Sequence, residues 1–348
     1  MSSRDLLYLS LADVTLACQE FDVVDAIREV LCLHAEGQTT LPAEAYLAWT
    51  GAGPGQARSL NMPGLVGGKV RAVGTKIINA NTANRAGGLP RASGLTLLFD
   101  PDTARPVCIM EGAFLSAQRT ASVTILAVQH LSAPGAARAG LIGAGAQASA
   151  HLGLLLSRLT GFTEVSVFDH DEDRAHELCQ AHALAAKEHA VSLSVVRSAQ
   201  QAVEGADLII PLTTTTEGYI PHAWLKPGAV LVNVSLDDCL PDVAMDAGLV
   251  VVDDWGLIKD DERRLLGRLF REGRICGPEE ALAGRRMVDA TLGDLIVGRH
   301  PGRTGPEQII LVNPFGMAIG DVMLAKATYD SAEQLGIGLT LPFDTLEA

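Results

Sequence analysis

The chain has 348 residues, 48% of them hydrophobic, and a formal net charge of −14 with no basic run. That length predicts two domains with cores of their own, and the charge argues against nucleic acid and anionic membrane surfaces as partners. Cysteines 18, 32, 108, 179, 239 and 276 lie scattered, with no Cys-x-x-Cys and no clustered histidines, so the expectation is reduced thiols in a cytoplasmic protein without a metal site.

The N-terminal stretch lacks the long apolar segment and cleavage site of a secretory leader. No uncharged apolar run is long enough to cross a bilayer. Residues 6–9 read as a short strand. The spacing of Asp22-Val-Val-Asp-Ala-Ile-Arg-Glu-Val-Leu31 predicts a helix, with Asp22 as N-cap and Gly37 as stop. His34 near its end is read as structural.

From residue 41 to 110 the pattern changes to short β-like runs at 46–49, 58–62, 70–79, 95–99 and 107–110. Gly/Pro-rich turns separate them, and Asp100-Pro-Asp-Thr103 is a hairpin turn. Residues 116–131 then read as a helix with Ser116 as N-cap, which puts Arg119 and Thr120 in the first turn. A cation there opposes the helix dipole, and a local rule broken in this way often marks function. Arg119 and the free amides of that turn would hold a carboxylate; the alternative is a surface arginine that reaches solvent.

Ser132-Ala-Pro-Gly-Ala-Ala137 is a linker. After it, Ala139-Gly-Leu-Ile-Gly-Ala-Gly-Ala-Gln-Ala148 has the form of a buried strand, a tight turn and a helix start. Gly143 allows the turn, Gly145 lets a pyrophosphate approach the backbone, and Ala148 lets the helix pack on its strand. The motif is weak alone, but the next strand, 164–168, ends in Asp169, about two dozen residues on, where a carboxylate accepts from a ribose 2′-OH. The same charge repels a 2′-phosphate, and no arginine follows immediately, so NAD is favoured over NADP.

The remaining elements alternate as a doubly wound sheet requires: an amphipathic helix over 174–188, a strand at 193–196, a capping box at Ser198, and strands at 207–211, 230–234, 249–252 and 309–312. Thr213-Thr-Thr-Thr216 and Ser235-Leu-Asp-Asp238 follow two of these strands. Ligands bind outside the carboxyl ends of such strands, so the threonines are candidates for ribose or nicotinamide. Either Asp237 or Asp238 is a candidate acid or base, with a solvated turn acid as the alternative. The alternating charges of 260–272 suggest a solvated face. Residues 316–329 read as a helix returning to the first domain. The fold expected is therefore α/β: a Rossmann-type domain at 132–315 and a discontinuous α+β domain at 1–131 and 316–348.

Five segments resemble the ornithine cyclodeaminase/μ-crystallin family over almost the whole chain. They are Val73-Gly-Thr-Lys-Ile-Ile-Asn79, Glu111-Gly-Ala-Phe-Leu-Ser-Ala-Gln-Arg-Thr-Ala121, Gly143-Ala-Gly-Ala-Gln-Ala148, Asn233-Val-Ser-Leu-Asp-Asp238 and Gly316-Met-Ala-Ile-Gly-Asp-Val322. Gly88-Leu-Pro-Arg-Ala-Ser93, Met110-Glu-Gly112 and the run to Asp238 are most similar to the branch that makes 2,3-diaminopropionate for siderophores and peptide antibiotics. The resemblance implies oxidation of N-(1-amino-1-carboxy-2-ethyl)glutamate with NAD, and hydrolysis to 2,3-diaminopropionate and 2-oxoglutarate.

It implies residue roles as well. Lys76 and Arg119 bind the substrate carboxylate, Arg58 is a further carboxylate contact, and Asp238 is the base beside the amine, with Lys76 as second choice. Gly143, Gly145, Ala146, Gln147, Ala148, Asp169, Thr213, Thr214, Thr215, Ser235 and Thr120 are assigned to the cofactor, and the first domain to homodimer formation. The chain departs from cyclodeaminases in carrying Leu60 in place of an acid, and Glu44 or Ala48 in the region of a usual basic residue. Cyclodeamination, ketimine reduction, and a non-catalytic nucleotide-bound role are the alternatives.

Overall fold

Residues 5–51 and 56–343 are described by a computed structural model; the first residues of the N-terminal stretch read for a leader lie outside them. The chain divides into two units, Met1–Arg119 with Met317–Ala348, and Thr120–Gly316. The division falls inside the helix Ala113–Leu131, earlier than the 131/132 boundary suggested by the Pro-Gly linker. A composition shift marks the loop after that helix, but the unbroken helix serves both units.

In the first unit an eight-stranded sheet runs in the order Leu339–Pro342, Asp5–Leu9, Pro106–Glu111, Ala92–Phe99, Ala72–Asn81, Gln56–Val66 and Thr39–Thr40, with Ala45–Thr50 also paired to Gln56–Val66. All pairings are antiparallel except that of Asp5–Leu9 with Pro106–Glu111. Alternation sets the faces: Ala72, Gly74 and Lys76 point into the core and their neighbours are less buried. The Asp100 carboxylate accepts the Thr103 N–H at 2.7 Å, which closes the expected hairpin turn.

The helix Ala318–Leu335 lies on this sheet, with Ala318 to Ala325 all buried. Gly64 permits the approach, since a Cβ there would stand 3.3 Å from the Ile319 nitrogen. Gly336, at φ 65°, ends the helix in the left-handed conformation that glycine accepts without strain. The final strand, Leu339–Pro342, was not anticipated because its side chains are largely exposed and leave no burial pattern to read.

The second unit holds eight parallel strands in the order Ser192–Val195, Glu164–Phe168, Arg138–Ile142, Leu208–Pro211, Val230–Val232, Ile310–Val312, Leu249–Val252 and Ala290–Thr291. Strands buried on both faces are continuous apolar runs, as at Leu208–Pro211 and Leu249–Val252. Chain order reverses on either side of Arg138–Ile142, which makes its carboxyl end the switch point of a doubly wound sheet. The fold is the α/β class expected.

Two local expectations fail. The helix read over 174–188 breaks at His182 into Glu172–Ala181 and Ala183–Glu188. The charged segment 260–272 is not a solvated face: Leu265, Leu266 and Leu269 are buried, and Arg264 donates to the Pro314 and Phe315 carbonyls. Asp261 pairs within the segment with Arg263 at 2.7 Å, and Arg268 pairs outside it with Asp237, so alternation in sequence did not mean exposure. Among the described residues no helix is long and apolar enough to cross a membrane.

Candidate active site

In the first unit Lys76 occupies an inward position of the strand Ala72–Asn81, opposite Met62 and Thr96. Its Nζ donates to Asp321 Oδ2 at 2.9 Å and to Ser116 Oγ at 3.2 Å. Arg119 Nη2 lies 3.2 Å from the same Asp321 oxygen. Asp321 is fully buried and the two cations nearly so. Two cations thus share one carboxylate oxygen. Asp321 Oδ1 and Arg119 Nε have no hydrogen-bond partner among the described residues.

Burial pulls the Lys76 pKa from 10.5 to about 8; Asp321 opposes the shift and Arg119 adds to it. Below that pH the trio carries one uncompensated positive charge, which disfavours burial unless an anion joins it. The surplus charge and the unpartnered Arg119 Nε are features that a carboxylate would satisfy.

The helix-start argument for Arg119 is corrected. The helix begins at Ala113, and the Glu111 carboxylate accepts the Ala113 and Phe114 N–H groups at 2.7 and 2.9 Å. Ser116 is therefore no cap, and Arg119 and Thr120 lie beyond the first turn. Asp321, and not free helix amides, is what Arg119 meets. Gly320 makes room for it, since a Cβ there would stand 2.7 Å from Arg119 Cγ.

Sequence reasoning did not single out Asp321. The available signal was a lone acid within the apolar run Met317-Ala-Ile-Gly-Asp-Val-Met-Leu-Ala325, where a buried charge requires a partner. Arg58 stands elsewhere: the register Arg58↔Ala80 and Met62↔Lys76 puts it on the Lys76 face, four residues along its strand. Leu60, opposite Ile78, lies on the same face between them. Glu44 acts on Lys76 through space, favouring the protonated amine.

In the second unit Gly143 has φ 101°, and a Cβ there would stand 2.7 Å from the Leu212 carbonyl oxygen, so the turn requires glycine. Gly145 begins the helix Ala146–Arg158 with no side-chain cap, leaving its first amides available. Ala146 is exposed and Ala148 buried, and the buried Gln147 Oε1 has no partner among the described residues. Asp169 Oδ2 accepts the Ala144 N–H at 2.7 Å, which ties the carboxylate to the glycine turn. Arg174, missed in the sequence, donates to the Ala144 carbonyl at 3.3 Å. The turn, the uncapped helix start and Asp169 fit a dinucleotide with an unmodified ribose.

Deeper in the helix, His151 bridges the Gln147 carbonyl, at 2.7 Å, and Thr124 Oγ1, at 3.0 Å. Burial lowers its pKa to about 4, so it is a neutral structural group at physiological pH.

Asp238 is fully buried. Its Oδ1 accepts from Thr213 Oγ1 at 2.7 Å and from the Tyr219 hydroxyl at 2.8 Å, while Oδ2 has no partner among the described residues. Tyr219 was not read from the sequence, since it lies nineteen positions from Asp238, with the 3-10 helix His222–Trp224 and the strand Val230–Val232 between them. Burial, and then the charge of Asp238, push the tyrosine pKa upward, so it remains a donor. Asp237 is set apart by its ion pair with Arg268 at 2.6 Å.

Thr213 Oγ1 also accepts from the Thr215 N–H, and Thr215 Oγ1 donates to the Glu217 carbonyl. Thr214 is exposed, and Ser235 Oγ donates to the Pro211 carbonyl at 2.9 Å. Both polar side-chain atoms of Asn233 and Asn313 Oδ1 are also unpartnered among the described residues; these two asparagines directly follow parallel strands, and Asp238 lies in the loop after Val230–Val232. Buried polar groups are seldom left unmatched, and these atoms are open to bonds from a ligand or from water.

The model of the ornithine cyclodeaminase/mu-crystallin family matches residues 6–336. The chain is 32% identical over 343 residues to N-((2S)-2-amino-2-carboxyethyl)-L-glutamate dehydrogenase of Staphylococcus aureus (strain NCTC 8325 / PS 47), a match spanning 97% of this chain and 99% of that protein. It superposes on the crystal structure of CmnK with a TM-score of 0.90 at 37% identity, covering 99% of this chain and 100% of that one. Thermococcus litoralis Delta(1)-pyrroline-2-carboxylate reductase, solved with NADH and L-proline, shares the fold, with a TM-score of 0.83 at 23% identity over 96% of this chain and 99% of that one.

Proposed function

From the premise that this chain belongs to the ornithine cyclodeaminase/mu-crystallin family, we propose that it is an NAD-dependent oxidoreductase acting on the CH–NH bond of an amino acid. Its substrate on this reading is N-(1-amino-1-carboxy-2-ethyl)glutamate, and its products are 2,3-diaminopropionate and 2-oxoglutarate. One observation carries the amino-acid reading: Lys76 and Arg119, both buried, share a single Asp321 oxygen and leave room in charge for one more carboxylate.

NAD, when bound, supplies the hydride acceptor; Gly143, Gly145, the start of the helix Ala146–Arg158 and Asp169 would hold it. Lys76 and Arg119 take the substrate carboxylate and fix the orientation of its Cα–H bond. Asp238 Oδ2 takes the proton of the secondary amine, so that the nitrogen lone pair can form the C=N bond as the Cα–H bond breaks. Thr213 and Tyr219, bonded to the other oxygen, keep that carboxylate in one orientation. Water then adds to the imine carbon, and collapse of the adduct breaks the C–N bond, leaving the 2-oxo acid and the amine.

Cyclodeamination needs the substrate's own side-chain amine to attack the imine. The structure puts the apolar Leu60 on the Lys76 face, where cyclodeaminases resemble this chain but carry an acid, and this favours the dehydrogenase. Run in reverse, the same groups would reduce a ketimine. The reading includes a homodimer, supported by the exposed apolar side chains Tyr46, Leu47 and Trp49 of the first unit's sheet, and a cytoplasmic location suited to six free cysteines. The test is incubation of the purified protein with NAD and a panel of ornithine, simple amino acids and amino-acid–glutamate opines. NADH with 2-oxoglutarate is the expected result; proline and ammonia without NADH would overturn it.

A further inference from the structure

The Asp169 carboxylate opposes a 2′-phosphate by its charge, and no arginine stands directly after it, yet the fold brings one back from five residues further on. Arg174 is the third residue of the helix Glu172–Ala181 and is half-buried. Its Nη2 donates to the Ala144 carbonyl at 3.3 Å, while the N–H of the same alanine is donated to Asp169 Oδ2 at 2.7 Å. The N–H and C=O of one residue lie within about 4 Å of each other, so an acid and an arginine grip the glycine turn at one point.

Local stability does not account for this placement. A cation in the first turn works against the helix dipole, which Glu172 and Asp173 suit. Asp171, Glu172 and Asp173 are all exposed, and Glu172 faces His176 at 3.6 Å. Among the described residues no carboxylate forms an ion pair with Arg174, although acids directly precede it in sequence. His170 sets its ring edge-on to Phe168. The arginine thus carries its charge to the turn, with one N–H on a carbonyl and the rest of its guanidinium fork available.

What the two side chains favour differs. A ribose with a free 2′-OH donates to Asp169 and brings no charge beside it. A 2′-phosphate adds negative charge at the same place, which Asp169 repels and a guanidinium holds with two parallel bonds. Asp169 stands closer to the ribose by its strand-end position, and its Oδ1 also accepts the Asp171 N–H at 3.0 Å, which fixes it there. While it is charged, the acid decides the choice and the arginine is overruled.

We propose that Arg174 is a second, opposing determinant of cofactor choice: a 2′-phosphate contact masked by Asp169, which serves NADP(H) once the charge of that acid is removed. The proposal rests on the dinucleotide reading of the glycine turn. Its test is fluorescence titration with NADH and NADPH, which needs no turnover. Wild-type protein binds NADH more tightly than NADPH. Asp169→Asn keeps an oxygen for the Ala144 N–H and tightens NADPH about tenfold or more, and adding Arg174→Gln removes that gain. A gain that survives in the double variant overturns the proposal, as does an Asp169→Asn protein that gains none.

The two nucleotides separate a phosphate contact from mere support of the turn. Relative to Asp169→Asn, the double variant is expected to lose about tenfold more affinity for NADPH than for NADH. Equal weakening of both would mark Arg174 as structural and overturn the proposal. Arg174→Lys in the Asp169→Asn background keeps part of the gain, because the charge remains; a lysine variant as weak as the glutamine one overturns a site built on charge. Wild-type protein that binds neither nucleotide overturns the dinucleotide reading and the proposal with it, whereas protein that binds NADH and fails these comparisons overturns the proposal alone.

Discussion

Lys76 donates to Asp321 at 2.9 Å, in a setting where both side chains are almost wholly withdrawn from water. Asp321 is the counter-charge that makes two buried cations tolerable and sets where both point. It acts through Lys76 and Arg119 and is a positioning residue.

Asp321→Asn is accordingly expected to destabilise the protein by about 3 kcal/mol, since it strands buried cations. It also removes the group that raises the Lys76 pKa, so that value falls below about 8. The alkaline limb of the kcat/KM profile then moves to lower pH. Denaturant unfolding reads the first effect and the pH profile the second; a loss of stability with an unmoved limb would contradict the positioning role.

Lys76 itself gives a sign that separates its two candidate roles. As a carboxylate clamp it works when protonated, so kcat/KM falls as pH rises through about 8. As a base it works when neutral, and kcat/KM would rise through the same value. The clamp is expected, and Lys76→Met loses roughly a hundredfold in kcat/KM.

Folding stability moves the other way. The native pKa of about 8 lies below the ordinary 10.5, so between these values the unfolded chain binds more protons and this group's contribution rises with pH. Unfolding measured across that window checks the sign.

Asp238→Asn removes the proton acceptor while keeping the shape. A fall in kcat of roughly 10²–10⁴ with unchanged NAD affinity is expected. Tyr219→Phe loses one bond to the spectator oxygen and costs about tenfold. Steady-state kinetics with fluorescence titration of NADH separates the two.

Two glycines offer a matched pair. Gly320→Ala sets a Cβ against Arg119 Cγ at 2.7 Å, and raises KM for the amino acid without changing NAD affinity. Gly143→Ala sets one against the Leu212 carbonyl at 2.7 Å, at φ 101°, and weakens NAD binding. Separate titrations of the two ligands should show opposite patterns.

The features legible in the sequence were those with local signatures. Gly143 to Ala148 and Asp169 follow a strand–turn–helix spacing imposed by backbone geometry, and the structure shows the turn that demands Gly143. Lys76 came through resemblance, whereas the strand-end position offered Asp237 or Asp238 and resemblance chose the latter; the structure finds Lys76 and Asp238 buried in polar settings. Arg119 was singled out for a wrong local reason: Glu111 caps the helix earlier, so the cation does not sit in the first turn. Asp321, 245 residues from Lys76 in sequence, and Tyr219 act through pairings made only by the fold, which no spacing rule encodes.

In the proposed reaction the substrate Cα–H leaves as hydride and stays on the nucleotide. The direct measurement uses N-(1-amino-1-carboxy-2-ethyl)glutamate deuterated at the glutamate Cα, with NAD and purified protein. Deuterium is expected in the NADH formed, in equal amount to the 2-oxoglutarate released. Deuterium retained in an amino-acid product, with no NADH accumulated, would contradict it.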